Sequence, residues 1–195
     1  MAARSFDSAR RSVPRVHELT RPGAQPPIKH SLRPRLAALA PCTVEVVQSA
    51  GGWLFDQVMA GWDVTVITAD HSDSRPLEIL GVRGRDLEST LALPVLGPCL
   101  QAIAVREDLY ESDARVRRMV HRAFDEGQAE VRFWGDFRPE ERGARTQPLS
   151  HRLSHAARAF KAHALAAAAV PAASAEDVEV FRRGDVGRPS LVPAP

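Results

Sequence analysis

Residues 43–76, TVEVVQSAGGWLFDQVMAGWDVTVITADHSDSRP, constrain the fold more than any other stretch of the chain. Val44, Val46 and Val47 make one β-branched run, and Val64, Val66 and Ile67 make a second after Gly61. Continuous apolar runs suit strands buried on both faces, and a helical segment between two of them suits a parallel pair. Glycine takes the left-handed backbone at a helix end without strain, so Gly61 marks a helix stop. The stretch predicts a βαβ unit: strand 43–47, helix 52–60, strand 62–69.

The rest of the chain repeats that alternation. Ser74 and Pro76 begin a short helix over 76–80, with the serine as cap. A weak strand over 82–87 and a helix over 87–93 follow, before Pro94, Gly97 and Pro98 break the chain. Residues 101–106 (QAIAVR) read as a strand and 112–126 as a helix capped by Ser112, with Val116, Met119, Val120, Ala123 and Phe124 on its apolar face. Residues 129–134 read as the last strand. A long helix is expected from Leu149 to Ala169, with Leu149, Leu153, Ala156, Phe160 and Ala164 as its stripe. The fold class expected is a single Rossmann-like three-layer α/β domain over 42–170, with a four- or five-stranded, mainly parallel sheet.

Composition bears on the two ends. Residues 1–41 hold six prolines and eight Lys/Arg against two acids, with no sustained apolar period. Such a segment buries too little surface to offset its ordering entropy, so 1–41 is expected to be a basic disordered arm and 171–195 a disordered tail. The arm has only Phe6 to stack on a base, which makes nucleic acid an unexpected partner. Residues 42–170 carry fifteen Lys/Arg against eighteen acids. No apolar run approaches the ~20 residues that span a bilayer, no apolar leader opens the chain, and the two cysteines, Cys42 and Cys99, form no CxxC. A cytoplasmic protein with reduced thiols is the expectation.

Candidate sites follow from strand ends, because ligands of open α/β sheets bind outside the carboxyl edge. Ser49, Gly51 and Gly52 lie between a predicted strand and helix, where backbone N–H groups attract anions. The stretch has the general look of nucleotide-using α/β folds, yet GxGxxG and GxxxxGK[ST] are both absent. Asp70, His71, Asp73 and Arg75 follow the second predicted strand; His71 beside Asp70 suits general base work, and Arg75 suits an anionic group. Asp108 and Asp136 also follow strands, and with Asp70 they would gather three carboxylates on one rim, as Mg²⁺-dependent phosphoryl transfer requires. His151 and His155 stand i,i+4 but lack a third ligand, so no metal site is assigned; Arg115, Arg118 and Arg122 make a solvated basic stripe, and no particular cofactor is implied. Lys29 and Lys161 are the only lysines.

With no GxSxG, CxxC or HExxH, the sequence carries no decisive catalytic signature. The first expectation is a non-catalytic binding or regulatory module, with an anionic small molecule as ligand and a protein partner or second copy on the 149–169 helix. The alternative is an enzyme acting on nucleotides or phosphate esters at the carboxyl edge, with Mg²⁺.

Overall fold

Leu36, Ala37, Ala38, Leu39 and Ala40 are all buried, and they form the centre of the sheet's parallel part. The structure, a computed structural model, describes residues 33–70, 73–92, 100–127, 129–135, 148–171 and 176–184. In chain order the elements are β1 (Arg35–Cys42), α1 (Thr43–Met59), β2 (Asp63–Asp70), α2 (Arg75–Ile79), β3 (Arg83–Asp86), α3 (Leu87–Leu91) and β4 (Ala102–Arg106). Then come α4 (Glu107–Ser112), α5 (Ala114–Gly127), β5 (Glu130–Trp134), β6 (Pro148–Arg152), α6 (His155–Ala167) and β7 (Val178–Arg183). The sheet runs β3-β2-β1-β4-β5-β7-β6, parallel from β3 to β5, with β7 antiparallel to both its neighbours.

Helices cover both faces. Ala38, Ala40 and Val66 face Val46, Val47, Trp53 and Leu54 of α1 and Ala157 and Leu165 of α6. Ala37, Leu39, Ile103, Val105 and Val131 face Leu109 of α4 and Val116 and Val120 of α5. None of the helices among the described residues is long and apolar enough to cross a membrane.

The α/β architecture with a mostly parallel sheet is as expected, and β2, α2, β3, α3, β4 and β5 stand where the sequence puts them, within one or two residues. The sheet has seven strands rather than four or five. Residues 43–47 are helix, not strand: the first strand is upstream, in residues assigned to the arm. Its Ala-rich sequence has poor strand propensity, but the central strand needs small side chains where helices press on both faces. The expected helix over 149–169 is instead strand β6 followed by α6, because Ser154 caps a helix there, its hydroxyl accepting from Ala157 N at 3.0 Å. Strand β7 falls inside the expected tail, so the sheet extends beyond 42–170 at both ends. The helix expected from Ser112 divides at Asp113, whose carboxylate accepts from Arg115 N at 2.7 Å; Ser112 instead ends α4, its hydroxyl donating to Asp108 O.

Gly61 closes α1 as expected. Its φ is +91°, its N–H reaches Val58 O at 2.9 Å, and Trp62 N reaches Gln57 O at 3.0 Å, the paired bonds of a Schellman stop. Gly61→Val should lower the unfolding free energy by about 1–3 kcal/mol, because a β-branched residue is strained at that φ. A denaturant midpoint equal to wild type would refute this.

Asp56 fastens α1 to the β6–α6 corner: its Oδ2 lies 2.9 Å from His151 Nε2 and accepts from Ser154 N at 3.2 Å. Burial pushes this carboxyl up, but the hydrogen bonds from Ser154 and His151 outweigh it and hold it below its ordinary 3.8. A carboxyl depressed in the folded state contributes stability above its unfolded pKa and loses it as the pH falls through the folded value. Asp56→Asn should therefore lower stability at pH 7 and flatten the loss below about pH 4. Parallel acid limbs in urea melts of the two proteins would contradict that.

Candidate functional site

The chain leaves β1 toward β2 on one side, while β4 lies on the other, so the strand order reverses between β1 and β4. A crevice outside the carboxyl ends at such a reversal is the usual ligand position in open α/β sheets. The register pairs Leu39 with Val105, which brings the ends of the two strands side by side.

Two short runs supply the polar groups there. From β1 into α1 come Cys42, a half-buried free thiol at the helix N-cap, then Thr43 and Glu45. No side chain caps α1, so its first-turn N–H groups retain the partial positive charge of a helix start. Thr43 is buried and its hydroxyl has no hydrogen-bond partner among the described residues. From β4 into α4 come Arg106, Glu107 and Asp108. Arg106 Nε lies 2.9 and 3.0 Å from the two Asp108 carboxylate oxygens and 3.5 Å from Glu45 Oε2, so the guanidinium ties the first turn of α1 to that of α4. Glu107 is 8% exposed, an unusual burial for a carboxylate.

The neighbouring strands flank these ends. Gly135, just past β5 with φ +122°, lies beside the start of α4, where a Cβ would make ordinary contact with Arg106 Cγ at 3.7 Å and Glu107 N at 3.8 Å. On the other side Asp70 is the register partner of Cys42, and Thr68, two residues back, is fully buried with no partner for its hydroxyl among the described residues.

The residues singled out in the sequence divide. Asp70 and Asp108 stand at this edge. His71 and Asp136 lie outside the described residues. Asp73 accepts from Arg75 N at 3.0 Å as an ordinary turn at the start of α2, where Arg75 is exposed. Ser74 occupies the expected cap position, but its hydroxyl donates to Glu78 Oε1 rather than capping the backbone. Ser49, Gly51 and Gly52 are inside α1 rather than in a loop, and the two glycines are buried. The anion beneath them is the chain's own: Glu179 Oε1 accepts from Gly52 N at 2.9 Å and Oε2 from Trp53 N at 2.7 Å. Lys161 Nζ sits 2.7 Å from Glu179 Oε1, both side chains almost wholly buried. His151 and His155 sit on a strand and a helix, the first bonded to Asp56. Arg115 pairs with Glu88 and Asp113, each at 2.8 Å, and holds Asp113 down at about 2.

Thr43 and Glu45 were missed, because both were hidden in a presumed strand. Glu107 directly follows a strand, and the sequence puts it at the carboxyl edge with Asp108, although only Asp108 was singled out as a site residue.

No protein-family model matches the chain, and no curated protein matches it by sequence. Solved structures do match. The A40926 pseudoaglycone deacetylase Dbv21 is 16% identical, with TM-score 0.56, over 77% of this chain and 97% of its own. The zinc inhibited form of the teicoplanin deacetylase Orf2 is 15% identical, with TM-score 0.50, over 78% and 100%. GalB, the 4-carboxy-2-hydroxymuconate hydratase of Pseudomonas putida KT2440, is 9% identical, with TM-score 0.51, over 80% and 97%. At these identities the likeness is one of fold. These three neighbours, which share it, are two deacetylases and a hydratase. That finding corrects the expectation of a non-catalytic binding or regulatory module.

Zinc occurs with one of these neighbours. Here Cys42, Glu45, Asp70 and Glu107 do not converge: among the described residues no three His, Cys, Asp or Glu side chains stand close enough to hold an ion.

The packing beneath the site is tight. A Cβ on Gly52 would meet Leu153 Cδ1 and Cδ2 at 2.5 Å. Gly52→Ala should therefore destabilise by about 1–3 kcal/mol despite its better helix propensity. Adding Leu153→Ala should give a double mutant more stable than the two single costs predict. Simple additivity in denaturant melts would argue against the contact.

Proposed function

We propose that this chain is a hydrolytic enzyme that adds water to an acyl carbonyl, with an N-acylated small molecule as substrate, at the crevice between the ends of β1 and β4. The observation that carries the reading is the buried Glu107, first residue of α4 at the switch point, on the strand end adjacent to the uncapped start of α1. The neighbours are consistent with it: deacetylases and a hydratase both add water to an sp² carbon.

The roles follow from the groups present. Glu107 is the general base that takes a proton from water as its oxygen bonds to the acyl carbon. The oxyanion that forms is met by the first-turn N–H groups of α1 and by the Thr43 hydroxyl, a donor the fold leaves without a partner. The carbon–nitrogen bond then breaks, and Glu107 returns the proton to the departing amine. The products are a carboxylate and an amine. Arg106, held by Asp108 and Glu45, keeps the two first turns in register rather than reacting.

Charge selects against the phosphate-ester alternative. Glu45, Asp70, Glu107 and Asp108 all stand at this edge, and Arg106 there is engaged by Glu45 and Asp108. Bringing a dianion among them costs Coulomb energy, whereas a neutral amide or a basic amine product does not.

The test is acetate release from a panel of N-acetylated amino sugars and amines, with p-nitrophenyl phosphate as control. Wild type should release acetate and leave the phosphate ester intact. Glu107→Gln should lower kcat about 100-fold or more in a protein that still melts cooperatively. Phosphate-ester hydrolysis without acetate release, or full activity in Glu107→Gln, would overturn the reading.

A further inference from the structure

A carboxylate bonded into the middle of a helix calls for an explanation. The N–H groups of Gly52 and Trp53 belong to the body of α1, nine and ten residues from its start, where the Gln48 and Ser49 carbonyls would ordinarily take them. Glu179 takes both, at 2.9 and 2.7 Å. A side chain entering the ladder beside a glycine pair is a recognised cause of helix bending. Here Gly52 also lacks the side chain that would collide with Leu153. Lys161, wholly buried, lies 2.7 Å from the same carboxylate and belongs to α6.

We infer that Glu179 and Lys161 are positioning residues for the candidate site: they pin the middle of α1 from β7 and α6, and so fix where Cys42, Thr43 and Glu45 stand on the rim. Two features support this over a purely structural pair. The pinned amides close the first half of α1, residues 43–51, whose other end is the crevice. A charged tether at that other end is Glu45 to Arg106 at 3.5 Å, and the buried Glu179–Lys161 pair at 2.7 Å gives the same helix a second anchor. The proposal deepens the reading of the rim as a hydrolytic site, and its first test reads geometry without turnover.

Cys42 is half-buried at the first residue before α1, so its alkylation reports the placement of that end. The full chain would be labelled with iodoacetamide and read peptide by peptide, so that Cys99 is scored separately. Hydrogen exchange would be followed in the same samples. In Glu179→Gln, Cys42 should be alkylated about tenfold faster, and exchange should rise over residues 43–53 while the amides of β4 and β5 stay protected. Because that variant leaves Lys161 buried without its counter-charge, the double variant Glu179→Leu/Lys161→Met removes both charges together. It should fold and still show the faster Cys42 labelling. Unchanged Cys42 labelling in the folded double variant, or exchange rising equally in β1, β4 and β5, would overturn the proposal. On an acetamide that wild type turns over, the double variant should lose kcat about tenfold with KM within twofold; an unchanged kcat would overturn it as well. If wild type turns over no acetamide, the hydrolytic reading fails, while the labelling and exchange arms still decide the positioning role.

Discussion

The Glu179 carboxylate joins three elements that are far apart in the chain: α1, through two backbone amides, α6, through Lys161, and its own strand β7. Hydrogen bonds to a charged group contribute about 1.5–3 kcal/mol each, while a buried charge without partners costs several kcal/mol. The arrangement is favourable only as a whole. Burial raises the Glu179 carboxyl's pKa, and Lys161 and the two amides oppose that rise. On the same face Trp53, Phe181 and Trp134 form an aromatic layer, with ring centroids 4.8 and 6.5 Å apart. The antiparallel pair β6 and β7 joins the sheet through β5, where Arg132 pairs with Arg183 and Phe133 with Arg182, and Glu179 ties β7 to α1.

That interaction also shows why half of the sheet was legible in the sequence and half was not. β2, β4 and β5 bury β-branched and aromatic residues in runs, so their pattern coincides with their propensity. β7 inverts the pattern: in Val178-Glu179-Val180-Phe181 the two valines are exposed and the glutamate is buried. A period-2 reading that puts apolar residues inside assigns every side chain to the wrong face, and the strand then resembles a charged tail. β1 fails for the opposite reason, since its alanines carry little strand preference and are dictated by the helices above and below. β6 alternates Leu149, His151 and Leu153 inward, a spacing that also fits part of a helix, and only the Ser154 cap separates the two.

The same logic governs the site. Reading strand ends put Asp70 and Asp108 at the carboxyl edge, where they stand in the structure. It could not identify the switch point, because that needs the strand order, and the strand order needs β1. Once residues 43–47 are taken as strand, the true helix start at Thr43 disappears, and the glycines at 51–52 take its place as the apparent anion loop. Those glycines lie in the body of α1, and the Gly52 amide is taken by Glu179 from within the chain.

A fold supports many reactions, so the chemistry has to be read from side chains at the switch point. Thr43 is the informative one. A buried hydroxyl without a partner costs about 1–3 kcal/mol relative to a satisfied one, and an alanine or valine at that position would remove the cost. Thr68 carries the same penalty on the adjacent strand. Two such groups lie at the carboxyl ends of β1 and β2, beside an uncapped helix start, so among the described residues the Thr43 and Thr68 hydroxyls are polar groups that the chain leaves for a ligand or water to satisfy.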